Sequence, residues 1–330
     1  MTTCRPAGDL SGQINAIGYG AWAAGGAEWG PHSDAAFVEA IRRAPEHGIN
    51  WIDTAPSYGL GHSEEVVGAA LAALKPEDRP LIFTKCSRVW DGRGRITGCL
   101  RRTSIRRECE SSLRRLRVDA IDLYQIHQPD PERDIEEGWA ALSELQAQGK
   151  VRWIGVSNFS VAQMTRIQPI ADIDAAQPEY SLVRRGAERT ILPFCAEQRI
   201  PTIVWSPLMR GLLSGRMTRS RIDGLPSDDT RRVEPEFVEP KLSQNLALVH
   251  LLDEIGSEHG YSPAQVALAW VLRHPAVTGA IVGIRGPNDI QSAADAAEVT
   301  LNPQAWATID RFIDPAIGGV RAAASSRGAH

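Results

Sequence analysis

The sequence predicts an α/β protein folded as a single (β/α)8 barrel of the TIM type. Three observations carry this expectation. Eight short apolar runs recur from residue 17 onward, and amphipathic helical segments separate them. Most of these runs are almost continuously apolar, the pattern of parallel strands covered on both faces. Residues able to move a proton close several of the runs, and a barrel of parallel strands assembles its chemistry at those ends. A doubly wound sheet uses the same alternation and is the alternative.

In chain order the expected strands are IGYGAW (17–22), INWIDTA (49–55), LIFTKC (81–86) and IDLYQIH (121–127). They continue with RWIGVSN (152–158), AAQPEY (175–180), TIVWSPL (202–208) and AIVGI (280–284). Ser33 and Asp34 cap a helix that ends near His47 and Gly48. Ser63 opens the next, with Glu64 and Glu65 favourable at the positive helix end. Ser104 precedes a third, Ile135 opens a fourth, and Ser262 with Pro263 opens a later one, proline suiting the first helical position. Segment 216–245, rich in charge, proline and serine, breaks the rhythm after the seventh strand. It reads as a long loop that serves as a lid, binds a ligand or moves. Residues 315–330 read as a flexible tail, so one domain spans 1–330 with its core at 17–313.

Hydrophobic residues make up 43% of the 330, enough for a large core without disulfide or metal staples. The net charge of −4, with both signs interspersed, gives no reason to expect a nucleic acid or an anionic membrane as partner. Five cysteines, odd in number and without a C-x-x-C pair, read as the reduced thiols of a cytoplasmic protein. The first residues, MTTCRPAGDL, lack the basic region and apolar core of a secretory signal. No apolar run approaches the roughly 20 residues that span a bilayer.

Asp53, Lys85 and His127 close three of the runs, and Tyr58 lies in the glycine-containing loop TAPSYGLGHSE. An ammonium at the end of an apolar strand needs an anion, and Asp53 on a neighbouring strand supplies one. Those two alone make an ordinary structural ion pair. Tyr58 adds a phenol, whose usual pKa of about 10 a nearby ammonium is expected to lower. His127 beside them can orient a carbonyl oxygen or relay a proton. The same Lys85 can be imagined as a Schiff-base nucleophile, but a partner carboxylate keeps the amine protonated.

Hydride chemistry requires a cofactor, because no side chain donates hydride. The first strand is not followed by G-x-G-x-x-G, and no P-loop is present. Two later loops offer phosphate sites instead: WSPLMRGLLSGR (205–216), with Arg210, Gly211, Gly215 and Arg216, and AIVGIRGPNDIQSA (280–293), with Arg285. Loops after the last two strands of a barrel often hold phosphate through backbone N–H groups.

Taken together, GINWIDTAPSYGLGHSEEVVG, FTK, RRLRVDAIDLYQIHQPD, GKVRWIGVSNFS, QPEYSL and WSPLMRGLLSG resemble the aldo-keto reductase superfamily from Ile17 to Ile313. GAWAAGGAEWG and KLSQNLALVHLLDEIG resemble its bacterial general-stress-protein-like members. The resemblance implies a barrel that binds NADP(H) in extended form, holds no metal and reduces a small carbonyl compound. It implies that Tyr58 is the general acid–base residue, that Lys85 and Asp53 tune it, and that His127 orients the carbonyl. Ser157, Asn158 and Gln177 fall where the family holds the nicotinamide carboxamide, and Trp205 where it stacks on the ring. Ser206, Pro207, Leu208, Gly211, Leu213, Gly215 and Arg216 would follow the pyrophosphate, with Gly283, Arg285 and Asp289 at the adenosine end. Trp22, Trp29 and Trp90 would wall the substrate pocket, Trp22 also bordering the cofactor, and Tyr180 would be structural. The sequence departs from the family at Asp289, Ser292 and Ala293, where glutamine, glutamate and asparagine are usual. A carboxylate at 289 repels a 2′-phosphate unless it points away, which keeps NAD(H) beside NADP(H) as a possible cofactor. Channel β subunits share this barrel, so a non-catalytic NADP(H)-binding accessory or redox-sensing subunit is the alternative function. A homo-oligomer is compatible with either.

Overall fold

The computed structural model describes residues 10–26, 33–227 and 229–314. Its strands are β1 (Ile17–Gly20), β2 (Trp51–Asp53), β3 (Leu81–Cys86), β4 (Arg88–Trp90) and β5 (Ile96–Gly98). They continue with β6 (Ile121–Ile126), β7 (Val151–Ser157), β8 (Ala175–Gln177), β9 (Ile203–Val204) and β10 (Gly279–Gly283). All but β4 and β5 form one parallel sheet in the order β8-β7-β6-β3-β2-β1-β10-β9. Parallel bridges Ala176–Thr202 and Glu179–Trp205 join its two ends. The sheet therefore closes into the expected barrel, and the open doubly wound alternative, which would leave two edges, is excluded.

Helices α1 (Asp34–Arg43), α2 (His62–Ala72), α3 (Arg102–Leu116), α4 (Ile135–Ala147), α5 (Val161–Ile167) and α6 (Ile191–Gln198) cover the first half. Helices α7 (Arg219–Asp223), α8 (Lys241–His259), α9 (Pro263–Leu272), α10 (Ile290–Ala294) and α11 (Pro303–Ile313) complete the coat. Ser33 caps α1 as expected, and Ser262 forms a full capping box with Gln265 on α9. Two expected starts are corrected. Helix α2 begins at His62, and Ser63 instead donates its hydroxyl to Ala21 O at 2.7 Å. Helix α3 begins at Arg102, so Ser104 lies inside it.

Several strands are shorter than their apolar runs. AAQPEY leaves the sheet at Gln177 because Pro178 has no N–H for the ladder, and TIVWSPL bends away where Ser206 takes a φ of 58°. The β4–β5 hairpin was not expected. It turns on Asp91, whose carboxylate accepts from the amides of Arg93 and Arg95 at 2.9 and 3.0 Å. Segment 216–245 is also corrected from one long loop to short helices followed by the start of α8. Thr218 and Asp229 cap two of them, and the pairs Arg231–Asp229 (2.6 Å) and Arg219–Glu239 (2.5 Å) neutralise its charges locally. The expected tail at 315–330, with Trp29 and Cys4, lies outside the described residues.

Alternation along the strands sets up the site. Trp51, Phe83, Leu123, Trp153, Ala175, Ile203 and Ile281 pack inside the barrel with Leu10 and Ile14. Two residues further along five of these strands, the same inward face carries Asp53, Lys85, Gln125, Gln177 and Trp205. The barrel is thus plugged with apolar rings at its amino end and furnished with polar groups at the other. Trp51 sets the tightest contact: a Cβ on Gly18 would lie 2.3 Å from its ring. Its Nε1 also donates to Asn15 O at 2.8 Å. Replacing Trp51 with Ala is expected to cost about 3–5 kcal/mol, read from urea unfolding; a loss below about 1 kcal/mol would show that the plug is not a packed layer.

Candidate active site

Four strand ends meet at a buried ion pair. Lys85 Nζ donates to Asp53 Oδ1 at 2.5 Å and to Thr54 O at 3.0 Å. The second Asp53 oxygen accepts from Gln177 Nε2 at 2.9 Å, and Gln125 Nε2 stands 3.5 Å away. Asp53 and Lys85 are 3% and 1% exposed, so these bonds replace the water both charges have lost. Burial pulls the Lys85 pKa down, but Asp53 and then Tyr58 outweigh it and hold the ammonium above its usual value. A protonated amine is no nucleophile, which removes the basis for Schiff-base chemistry.

Tyr58 sits over that ammonium, with Nζ 5.4 Å from the ring centroid. The expected lowering of its pKa is not found. Burial raises it, Lys85 opposes this less strongly, and Asp53 adds to the rise. The phenol is therefore protonated at neutral pH, the state of a donor. Burial, with Lys85 and Arg88 adding to it, pushes the His127 imidazole well below its usual range. His127 is accordingly neutral, its ring edge-on to Tyr58 at 5.8 Å and its Nδ1 3.5 Å from Ser57 Oγ.

Two glycines fix the approach of the Tyr58 loop. Gly59 has a φ of 63°, and a Cβ there would lie 2.0 Å from Gly25 O. A Cβ on Gly25 would in turn lie 2.6 Å from Tyr58 C. This backbone contact lays Trp22 against Tyr58, with ring centroids 5.9 Å apart and planes at 27°. The guanidinium of Arg210 covers the Trp22 ring at 5.1 Å.

A cleft of about 500 Å³ runs outward from these groups. Trp22, Asp53, Tyr58 and His127 line its inner end; Ser157, Asn158, Gln177 and Trp205 follow. Ser206, Pro207, Leu208 and Gly211 continue the wall, and Arg216, Gly283, Arg285 and Asp289 reach the outer end. Lys85 lies beneath the lining. Leu213 is buried in the outer core with its amide bonded to Leu208 O at 3.2 Å, and Gly215 turns at a φ of 77° against Pro263. Trp90 stands on the hairpin outside the lining, 6.0 Å beneath the Arg115 guanidinium. Tyr180 is buried and donates to Glu188 at 2.7 Å.

The lining fits an extended dinucleotide on three counts. Ser206 Oγ is buried with no hydrogen-bond partner among the described residues. Asn158 spends both amide hydrogens on His127 O and Ser157 Oγ, each at 3.0 Å, and accepts from Trp205 Nε1 at 3.2 Å. Only one lone pair of its Oδ1 is left, which suits a single incoming N–H. Ser206, Met209, Arg210 and Gly211 all have positive φ, so the loop curls tightly along the cleft.

At the outer end, two cationic lining residues escaped sequence reading. Arg221 and Arg231 come from the segment expected to be a loop. Burial, then Arg231 and Arg221, hold the Arg285 pKa below its usual value, and all three line the cleft. Asp289 does not add repulsion there, because Arg216 binds its carboxylate at 2.8 Å. Gln125 was also missed; it reads as part of an apolar run and its inward direction follows only from the register. Among the described residues no group of His, Cys, Asp or Glu is arranged to hold a metal ion. No helix among them is long and apolar enough to cross a membrane.

The family model of the aldo/keto reductase family matches residues 16–314. Aldo-keto reductase YhdN of Bacillus subtilis (strain 168) is 36% identical over 310 residues, 94% of this chain and 93% of its own. The NADH-specific methylglyoxal reductase of Escherichia coli (strain K12) is 31% identical over 326 residues, 94% of this chain and 98% of its own. Among solved structures, a glycerol dehydrogenase from Gluconobacter oxydans superposes with a TM-score of 0.83 at 37% identity, covering 91% of both chains. An aldo/keto reductase from Klebsiella pneumoniae, in complex with NADP and acetate, gives 0.69 at 30% identity over 91% of this chain and 92% of its own.

Replacing Lys85 with Met leaves the Asp53 carboxylate buried without its cation, at a cost of about 3–5 kcal/mol in denaturant unfolding. The double variant with Asp53→Asn is expected to recover most of that loss. Additive losses in the two single variants would mean that the two charges are not coupled.

Proposed function

Because the chain belongs to the aldo/keto reductase family, we propose that it reduces an aldehyde or ketone to an alcohol with NADPH, and that Tyr58 gives the proton. One observation carries this: a protonated phenol sits over a buried ammonium at the inner end of a long cleft. Ser157, Asn158, Gln177, the run from Trp205 to Leu208, and Gly211 line the cleft and would hold NADPH, which would supply the hydride to the carbonyl carbon when bound. The carbonyl oxygen gathers negative charge as that bond forms. Tyr58 Oη then transfers its proton to the oxygen, and the Lys85 ammonium stabilises the phenolate left behind. Asp53 keeps Lys85 charged throughout. Neutral His127, its Nδ1 3.5 Å from Ser57 Oγ, would donate its ring N–H to the same oxygen and orient it. Trp22, stacked on Tyr58, walls the substrate side.

For the cofactor, Arg221 and Arg285 line the outer end of the cleft and supply positive charge for an adenosine 2′-phosphate, while Asp229 holds Arg231 and Arg216 neutralises Asp289. These favour NADPH over NADH. The NADP complex of the Klebsiella relative agrees, while the NADH-specific Escherichia coli enzyme keeps NADH as the competing choice. The small-molecule partner is a carbonyl compound, and the proposed setting is the cytoplasm.

The test is NADPH consumption followed by absorbance with aldehydes, α-ketoaldehydes and keto sugars, beside Tyr58→Phe. Turnover is expected to vanish in the variant while NADPH still binds; retained turnover removes Tyr58 as donor. Binding without turnover of any carbonyl would favour the accessory-subunit alternative. For the cofactor, Arg285→Ala is expected to weaken NADPH binding by about 10- to 100-fold, the value of a charge-assisted bond, and NADH little. Equal losses for both would place Arg285 away from the 2′-phosphate. Equal dissociation constants for both cofactors, in wild type and in Asp289→Gln, would remove Asp289 from the choice.

A further inference from the structure

We propose that Glu108, on the outer side of the barrel, is a positioning residue for the reaction: through Ser87 it holds the chain ends that present Lys85 and His127. The inference rests on the roles given above to Tyr58, Lys85 and His127. Ser87 follows β3, two residues after Lys85, and is fully buried with a φ of 76°. Its N–H donates to Glu108 Oε2 at 2.9 Å. Its carbonyl accepts from Cys99 N at 2.9 Å, on the return of the hairpin. Its hydroxyl donates to Gln128 O at 3.1 Å and stands 3.3 Å from Gln128 N. The neighbouring Cys86 O accepts from His127 N at 3.1 Å. One serine therefore ties α3, the hairpin and the loop carrying His127 to the end of β3.

Glu108 anchors that serine from α3. Its other oxygen accepts from Ser104 Oγ at 2.9 Å, so each carboxylate oxygen has a neutral donor. The titratable groups facing it are Glu64 of α2, Cys86 of β3, Tyr124 of β6, and Arg107 of its own helix. Burial, against the two hydrogen bonds and Arg107, pushes the Glu108 carboxyl up to about 7. Above that pH the bond to Ser87 is charge-assisted; below it the bond is neutral and weaker. The hold on Ser87, and with it the placing of His127 and Lys85, tightens as pH rises through neutrality.

Glu108→Gln imitates the neutral acid at every pH. The quantity to read is kcat of wild type divided by kcat of Glu108→Gln, in which the titration of Tyr58 cancels. The ratio is expected near one at about pH 5.5 and about three- to tenfold by about pH 8.5, with a midpoint near neutrality and KM for NADPH unchanged. A ratio that does not change with pH, at one or at any higher value, overturns the proposal. Ser104→Ala gives a second reading that spares the carboxylate. Losing that donor raises the Glu108 pKa, so the midpoint of the kcat profile, measured against Glu108→Gln, moves to higher pH; an unmoved midpoint counts against the proposal. Tyr58→Phe in the same assay keeps the two hypotheses apart. Turnover lost in Tyr58→Phe with a flat ratio overturns the role of Glu108 alone. Turnover retained in Tyr58→Phe overturns the donor, and the ratio still judges Glu108.

Discussion

The buried pair of Lys85 and Asp53 is the interaction on which the rest of the site depends. Two charges withdrawn from water inside a barrel are tolerated only when every remaining donor and acceptor finds a partner. Asp53 finds Lys85 and Gln177, and Lys85 adds the Thr54 carbonyl. Satisfying the pair thus draws β2, β3 and β8 into one register at their carboxyl ends. Those strands reach that register because Trp51, Phe83 and Ala175 fill the barrel two residues earlier. The apolar plug and the charged site are successive layers of the same alternation.

The electrostatics of the site follow from this burial more than from the pair itself. The ammonium alone argues for an easily ionised phenol, yet dehydration of Tyr58 is the larger effect. The same dehydration, with the ammonium now adding to it, keeps His127 neutral. A neutral imidazole and a protonated phenol beside one fixed cation give the inner end of the cleft two neutral polar groups. Among these four residues the only carboxylate is Asp53, and it is paired with Lys85.

Much of the barrel was legible because its strands are apolar on both faces, and LIFTKC is found with its expected bounds. The ends of the others were less legible, since Pro178 and the turned backbone at Ser206 stop the ladder before the apolar run stops. Asp53, Lys85 and His127 could be named from strand ends and Tyr58 from its glycine-containing loop, and the four are brought together. Arg221 and Arg231 could not. Their segment has the composition of a loop, and the bonds that tie it to the barrel come from residues far along the chain, Arg210 to Thr230 and Arg184 to Glu234. Trp90 erred the other way: its residue type suits a pocket wall, but an unrecognised hairpin carries it elsewhere.

The contact between Gly25 and Gly59 has a consequence for how such a site can diversify. Neither position accepts a side chain, because each would strike the backbone of the other loop. A change at one glycine cannot be rescued by a change at the other, since the partner has nothing left to remove. The aromatic wall at Trp22 and the phenol at Tyr58 are therefore inherited as one rigid piece. New substrate preferences must come from segments that border this piece, and libraries aimed at altered selectivity are best directed there, with both glycines held constant.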